Sequence, residues 1–136
     1  MEISVNFWAV LLAAIVNMAV GFAWYGPLFG KFWKRLMGFT DESMKSMPLS
    51  AAQASVGGFI TALIMAYVLG HFVNLVDATG LDGAWQLAFW IWLGFQMTVS
   101  AGSFLWEGKP LRLFLLNSAE QLVAMFLMAV ILVLWR

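Results

Sequence analysis

The chain has 136 residues, 63% hydrophobic and 10% charged, with seven Lys+Arg against seven Asp+Glu and a mean hydropathy of +0.89. Soluble domains carry about 25% charged residues, so this composition excludes that class, and the balanced charge leaves no basic surplus for a nucleic-acid partner. With no cysteine, a disulfide framework, a thiolate nucleophile and a lipidated thiol are excluded as well.

Stretches free of Asp, Glu, Lys and Arg come in four blocks. None of these residues falls between Ile3 and Gly30. Ser46 to Val76 carries only His71, Gly83 to Trp106 carries nothing ionic, and Leu113 to Trp135 is interrupted by Glu120 alone. Each block exceeds the ~20 apolar residues that cross a hydrocarbon layer. The pattern predicts an all-α integral membrane four-helix bundle, one domain over residues 1–136, with helices at about 3–26, 49–74, 83–106 and 110–135. The first block is expected to stay as a span rather than to be a signal peptide, because Glu2 stands where a basic n-region belongs.

Orientation follows from the cations. Lys31, Lys34, Arg35 and Lys45 lie between the first two spans and Lys109 and Arg112 between the last two, while Arg136 alone is on the other side. This asymmetry predicts both basic loops in the cytoplasm and both termini outside.

The first span ends in WYGPLFGKFWKR, residues 24–35. Trp24 and Tyr25 sit where amphipathic rings favour the membrane interface, and Pro27 with Gly26 before it predicts that the helix stops there. From Lys31 onward, Phe32, Trp33, Leu36 and Met37 share one side and Lys31, Lys34 and Arg35 the other. That spacing predicts a short amphipathic helix lying in the headgroup layer, so Trp24, Tyr25, Trp33, Lys31, Lys34 and Arg35 together read as an interfacial anchor. Further along, Thr40 and Asp41 predict one capped helical turn. Ser50 to Gln53 predicts a capping box opening the second span, and Pro110 fits the first turn of the fourth.

The second span carries Ala51, Ser55, Gly58, Ala62, Ala66 and Gly70 at spacings of three and four. Small side chains let backbones approach closely where lipid supplies no hydrophobic drive, so this is a packing stripe, within the bundle or between copies. Gly94, Thr98 and Gly102 repeat it briefly on the third span. The first span aligns Asn6, Asn17 and Gly21, the third Gln96, Ser100 and Ser103, and the fourth Asn117, Glu120 and Gln121. Counting ~1.5 Å per residue from the helix ends brings Asn17, Gln96 and Glu120 within about one turn of the midplane. A shared polar layer follows, because unpaired polar groups are costly in hydrocarbon. Glu120 is its sharpest member, since an intramembrane carboxyl is by default a functional-site candidate. With no cation at its depth, Glu120 is expected to be protonated and to donate to Gln96 or Asn17. His71, with no second His and no Cys, is expected to be an interfacial polar residue; the sequence offers no metal site and no cofactor site.

The motif N-x-x-x-G-x-x-W-Y-G-P-L-F-G-K-x-W at 17–33, W-L-G-F at 92–95, E-G-K-P at 107–110, and Asn117 with Trp135 resemble the uncharacterised bacterial membrane family known as domain of unknown function 1761. The resemblance spans nearly the whole chain and implies a small four-helix membrane protein. It carries no catalytic residue, and it implies an aromatic side chain in place of Glu120, which ties any role of Glu120 to this chain rather than to the family.

No catalytic-triad, zinc or phosphate-loop pattern is present, so enzymes are the least favoured class. Two functions remain: a structural or accessory membrane protein that self-associates, and a small transporter or channel with a polar intramembrane site around Glu120. The small-residue stripe favours the first. The threading itself is testable. Single cysteines at positions 34 and 109 should react with an impermeant thiol reagent from the same face of sealed vesicles and one at position 82 from the opposite face; reaction of 34 and 109 from different faces would contradict it.

Overall fold

The computed structural model describes residues 3–136, so Met1 and the early acid Glu2 lie outside it. Four helices are long and apolar enough to cross a membrane: span one, Phe7–Leu28; span two, Ala51–Leu75; span three, Gly80–Leu105; span four, Leu111–Leu134. An amphipathic helix, Gly30–Met37, and a one-turn helix, Asp41–Lys45, connect the first two spans. The described residues contain no strand. The protein is an all-α integral membrane four-helix bundle with an interfacial helix between spans one and two.

Local chemistry sets the ends. Ser50 and Gln53 close the expected capping box, and Thr40 forms another with Ser43. Span one starts later than expected, because Asn6 is its cap rather than part of its polar face: Oδ1 accepts from the amides of Trp8 at 3.0 Å and Ala9 at 3.4 Å. The Asn6 amide also donates to the carbonyl of Trp135 at 3.2 Å, and Arg136 reaches Asp77 at 3.0 Å and the Ala78 carbonyl at 3.1 Å. Both chain ends and the turn between spans two and three are thereby tied together. Span three begins at Gly80 rather than near residue 83, the Gly83 amide already bonding the Thr79 carbonyl at 3.2 Å. Pro110 stands just before span four instead of inside its first turn.

Pro27 does not stop span one. Trp24–Leu28 forms a π-helical turn, in which the amide of Phe29 reaches back five residues to the Trp24 carbonyl at 2.8 Å. A proline removes one donor, and a wider turn lets a later amide take up a freed carbonyl. The chain breaks two residues on, at Phe29, where φ is −127° and ψ 14°.

Span four is the hub. It packs broadly on spans one and three and less on span two, and span one packs on span two. Spans two and three stand apart. The dry core lies in the half of the bundle nearer the termini, where Ala13, Ala66, Val73, Met128 and Ala129 are fully buried. The small-residue stripe of span two is taken up inside this bundle. Ala62, Ala66 and Gly70 are buried, a Cβ on Gly70 would come within 2.8 Å of Val5, and one on Gly58 within 3.5 Å of Met18. The part of the stripe from Ala62 to Gly70 thus packs inside the bundle, while Ser55 and Gly58 are half-buried and Ala51 at its start is exposed.

Gly30 is the position where the interfacial helix depends most on a missing side chain, because a Cβ there would lie 2.8 Å from the backbone carbonyl oxygen of Tyr25. Backbone cannot step aside as a side-chain tip can. Gly30→Ala should therefore destabilise by about 1–3 kcal/mol, read as a lowered unfolding temperature in detergent. Gly26→Ala, with nothing within 4 Å of the new methyl, should be neutral or mildly stabilising. Equal effects would contradict this packing.

Candidate functional site

Toward the end of the bundle that carries the basic loops, the spans no longer close on one another and leave a cavity of about 590 Å³. Span one contributes Asn17, Gly21 and Tyr25, which recur every four residues and so share a face. Span two contributes Ser55, Gly58, Thr61 and Met65, span three Gln96, and span four Glu120, Gln121, Ala124 and Met128; Trp33 reaches in from the interfacial helix. No Lys or Arg lines the space, and Glu120 is its sole acid.

The polar groups do not close into the single layer expected of them. Ser100 donates to Gln121 at 3.1 Å, the Tyr25 hydroxyl donates to Asn117 Oδ1 at 2.7 Å, and the Trp92 indole N–H donates to the Ser118 carbonyl at 2.8 Å. Glu120 was expected to bond Gln96 or Asn17 and, among the described residues, makes neither bond. Its Oε1 instead lies 3.9 Å from where a Cβ on Gly21 would stand, in the room that the glycine leaves open. Gln96 turns its Nε2 toward the Met65 sulfur at 3.9 Å, a weak acceptor, while its Oε1 is buried with no partner. Asn17, Gln96, Glu120 and Gln121 line one space, and Asn117 stands behind Tyr25 as its acceptor.

The aromatic part of the anchor also faces differently from the expectation. Tyr25 and Trp33 line the cavity with ring centroids 5.5 Å apart, and Trp24 packs on Phe29 at 4.8 Å with its indole nitrogen buried and unpartnered. Lys31, Lys34 and Arg35 are exposed. The cause is the tight turn at Phe29–Gly30, which folds the interfacial helix back toward span four and carries Trp33 onto Tyr25. Tyr25 was legible in principle, because it continues the four-residue spacing of Asn17 and Gly21. Two π-helical segments flank the site, Trp24–Leu28 carrying Tyr25 and Trp92–Met97 carrying Gln96; such turns re-aim side chains and recur at functional sites.

His71 lies away from the cavity, its Nδ1 at 2.9 Å from the Tyr67 carbonyl and its ring edge-on to Tyr67. The described residues contain no group of three His, Cys, Asp or Glu side chains able to hold a metal ion.

Four spans, an interfacial helix and a polar cavity at one end define a small polytopic membrane protein. The chain belongs to the family described as "Protein of unknown function (DUF1761)", whose model matches residues 8–133, as the motifs at 17–33, 92–95 and 107–110 led one to expect. It is similar to UPF0591 membrane protein C15E1.02c of Schizosaccharomyces pombe, 27% identical over 86 residues, which is 61% of this chain and 58% of that protein. The chain thus spans somewhat over half of that relative's length. No solved structure matches.

The Tyr25–Asn117 bond holds span one to span four beside the cavity. Tyr25→Phe should cost about 0.5–1.5 kcal/mol in detergent unfolding and almost nothing in an Asn117→Leu background, the signature of a pairwise interaction. Equal losses in both backgrounds would show that the hydroxyl stabilises independently of Asn117.

Proposed function

We propose that this protein is a non-enzymatic binding protein of a bacterial plasma membrane, whose cavity takes up a hydrogen-bonding or cationic solute at Glu120 and passes it on as a small carrier. The observation that supports binding is Glu120 itself: a carboxyl group inside the bundle, facing an open space, with no hydrogen-bond partner among the described residues. An intramembrane carboxyl that served only to fix helix register would be hydrogen-bonded. Unfilled acceptors at Glu120 and Gln96 are what a solute with N–H or O–H donors satisfies. The dry core beyond Met128 supports a carrier over a pore, since no continuous polar path leads through the described bundle. Six cations in the two basic loops support an opening to the cytoplasm with both termini outside. Carboxyl, amide, phenol and hydroxyl groups line the site without a nucleophile and base in hydrogen-bonding register, which supports binding over turnover. The bilayer is the surrounding partner, and nucleic acid is not one.

A second reading, an accessory protein that self-associates, is supported at a different place from the one expected. Span three packs chiefly on span four, and its short stripe faces outward: Gly94 and Thr98 are exposed, and nothing lies within 4 Å of a Cβ built on Gly94 or Gly102. That face suits a second copy of the chain.

Native mass spectrometry from mild detergent reports both. Carrier function predicts a small solute that stays with the wild-type chain and is weakened at least about tenfold by Glu120→Gln, the equivalent of one charge-assisted hydrogen bond. Identical adducts on both proteins would contradict a site at Glu120, and a dimer lost on Gly94→Leu would favour the accessory role.

A further inference from the structure

The cavity has an apolar neighbour. Between spans two and three lies a cleft of about 300 Å³, lined by Val68, Leu69 and Phe72 on one side and Ile91 and Phe95 on the other, with Met125 of span four beneath. Val68, Phe72 and Phe95 are exposed, so the cleft opens sideways to lipid. Met65 and Gln96 line both spaces. The partition between a carboxyl-bearing cavity and a hydrocarbon cleft is therefore two side chains, joined by one contact of 3.9 Å. Methionine is unbranched and readily changes shape, and the Gln96 carbonyl has no partner to lose.

We propose that cavity and cleft form one site for a single-chain cationic amphiphile, a long-chain primary alkylammonium, with its head at Glu120 and its tail between Met65 and Gln96 in the cleft. This rests on the cavity being a binding site and adds the chemical class of its ligand. The head is cationic because the cavity's sole charged side chain is an acid and its aromatic walls, Tyr25 and Trp33, attract cations to their ring faces. A primary ammonium has three N–H donors, and the cavity-lining side chains that accept no hydrogen bond among the described residues are Glu120, Asn17 and Gln96, whose Oε1 is buried behind the partition. The proton balances by either route: an ammonium meets a carboxylate, or a neutral amine takes the proton of the carboxylic acid, and the same ion pair results. A single tail fits because one apolar cleft leaves the cavity through this partition. A phospholipid fits poorly, since the basic side chains that pair with phosphate lie outside the cavity lining.

The test uses the full chain in lipid nanodiscs and dodecylamine bearing a terminal diazirine. Irradiation should label Val68, Phe72 or Phe95, and excess unlabelled dodecylamine, but not dodecanol, should suppress that label; Glu120→Gln should reduce it at least about tenfold, as loss of a charged partner does. Label spread evenly over outward positions such as Ile60 and Val99, and indifferent to competitor, would overturn the amphiphile site. Butylamine, a head without a tail, separates the two proposals by calorimetric titration. Glu120-dependent butylamine binding with scattered tail label leaves the cavity as a binding site and removes the cleft from it, whereas no Glu120-dependent binding of either amine removes both. If Glu120→Gln does not fold, the competition between amine and alcohol on the wild-type chain still decides.

Discussion

A polar side chain in hydrocarbon has no water to turn to, so it must find a partner in the protein or face a space that admits one. Much of this small bundle follows from how that constraint is met along span four, the helix that touches the other three spans. In the half near the termini it is met by leaving polar groups out: Ala13, Ala66, Met128 and Ala129 are fully buried, and Asn6 and Arg136 make polar contacts at the rim. In the other half the polar groups are present and only partly paired. Ser100 with Gln121 and Tyr25 with Asn117 hold neighbouring spans together, while Glu120 faces the cavity and Gln96 Oε1 is buried without a partner.

The segment after span one keeps that cavity open. A π-helical turn over Pro27 delays the end of the helix, Gly30 lets the returning chain touch the Tyr25 carbonyl, and the interfacial helix lays Trp33 beside the tyrosine. Aromatic rings that in many membrane proteins rest against headgroups here wall a site, while the three cations beside them face out. Structural anchoring and site building thus use opposite faces of the same eight-residue helix.

What the amino-acid order disclosed was what depends on composition along the chain. The spans were legible because charges are absent for about twenty residues at a time, and the Ser50–Gln53 capping box because its chemistry is local. Family membership was legible from the run around Trp24. What depends on how helices rotate against one another was hidden. Tyr25 shared the four-residue spacing of Asn17 and Gly21, but nothing local announced that the turn at Phe29–Gly30 carries Trp33 onto it. The π-helical segment over Trp92–Met97 aims Gln96 at Met65 instead of Glu120, and nothing in residues 92–97 announces such a turn beyond one glycine. The stripe on span two was recognisable as a packing surface, but its partner, span one of the same chain, was not. That spans two and three stand apart is a property of the whole bundle and has no local signal.

The central claim is that a polar space reaches Glu120 from the basic-loop end and stops at a dry core. Because the chain has no cysteine, single cysteines at Gln121 and Ala129, two turns apart on span four, test it most directly with a charged, membrane-impermeant thiol reagent. The account predicts that position 121 reacts, from the same face of the membrane as a cysteine at Lys109, and that position 129 stays inert from both faces. Reaction at 129 with none at 121, or reaction at 121 only from the opposite face, would contradict it.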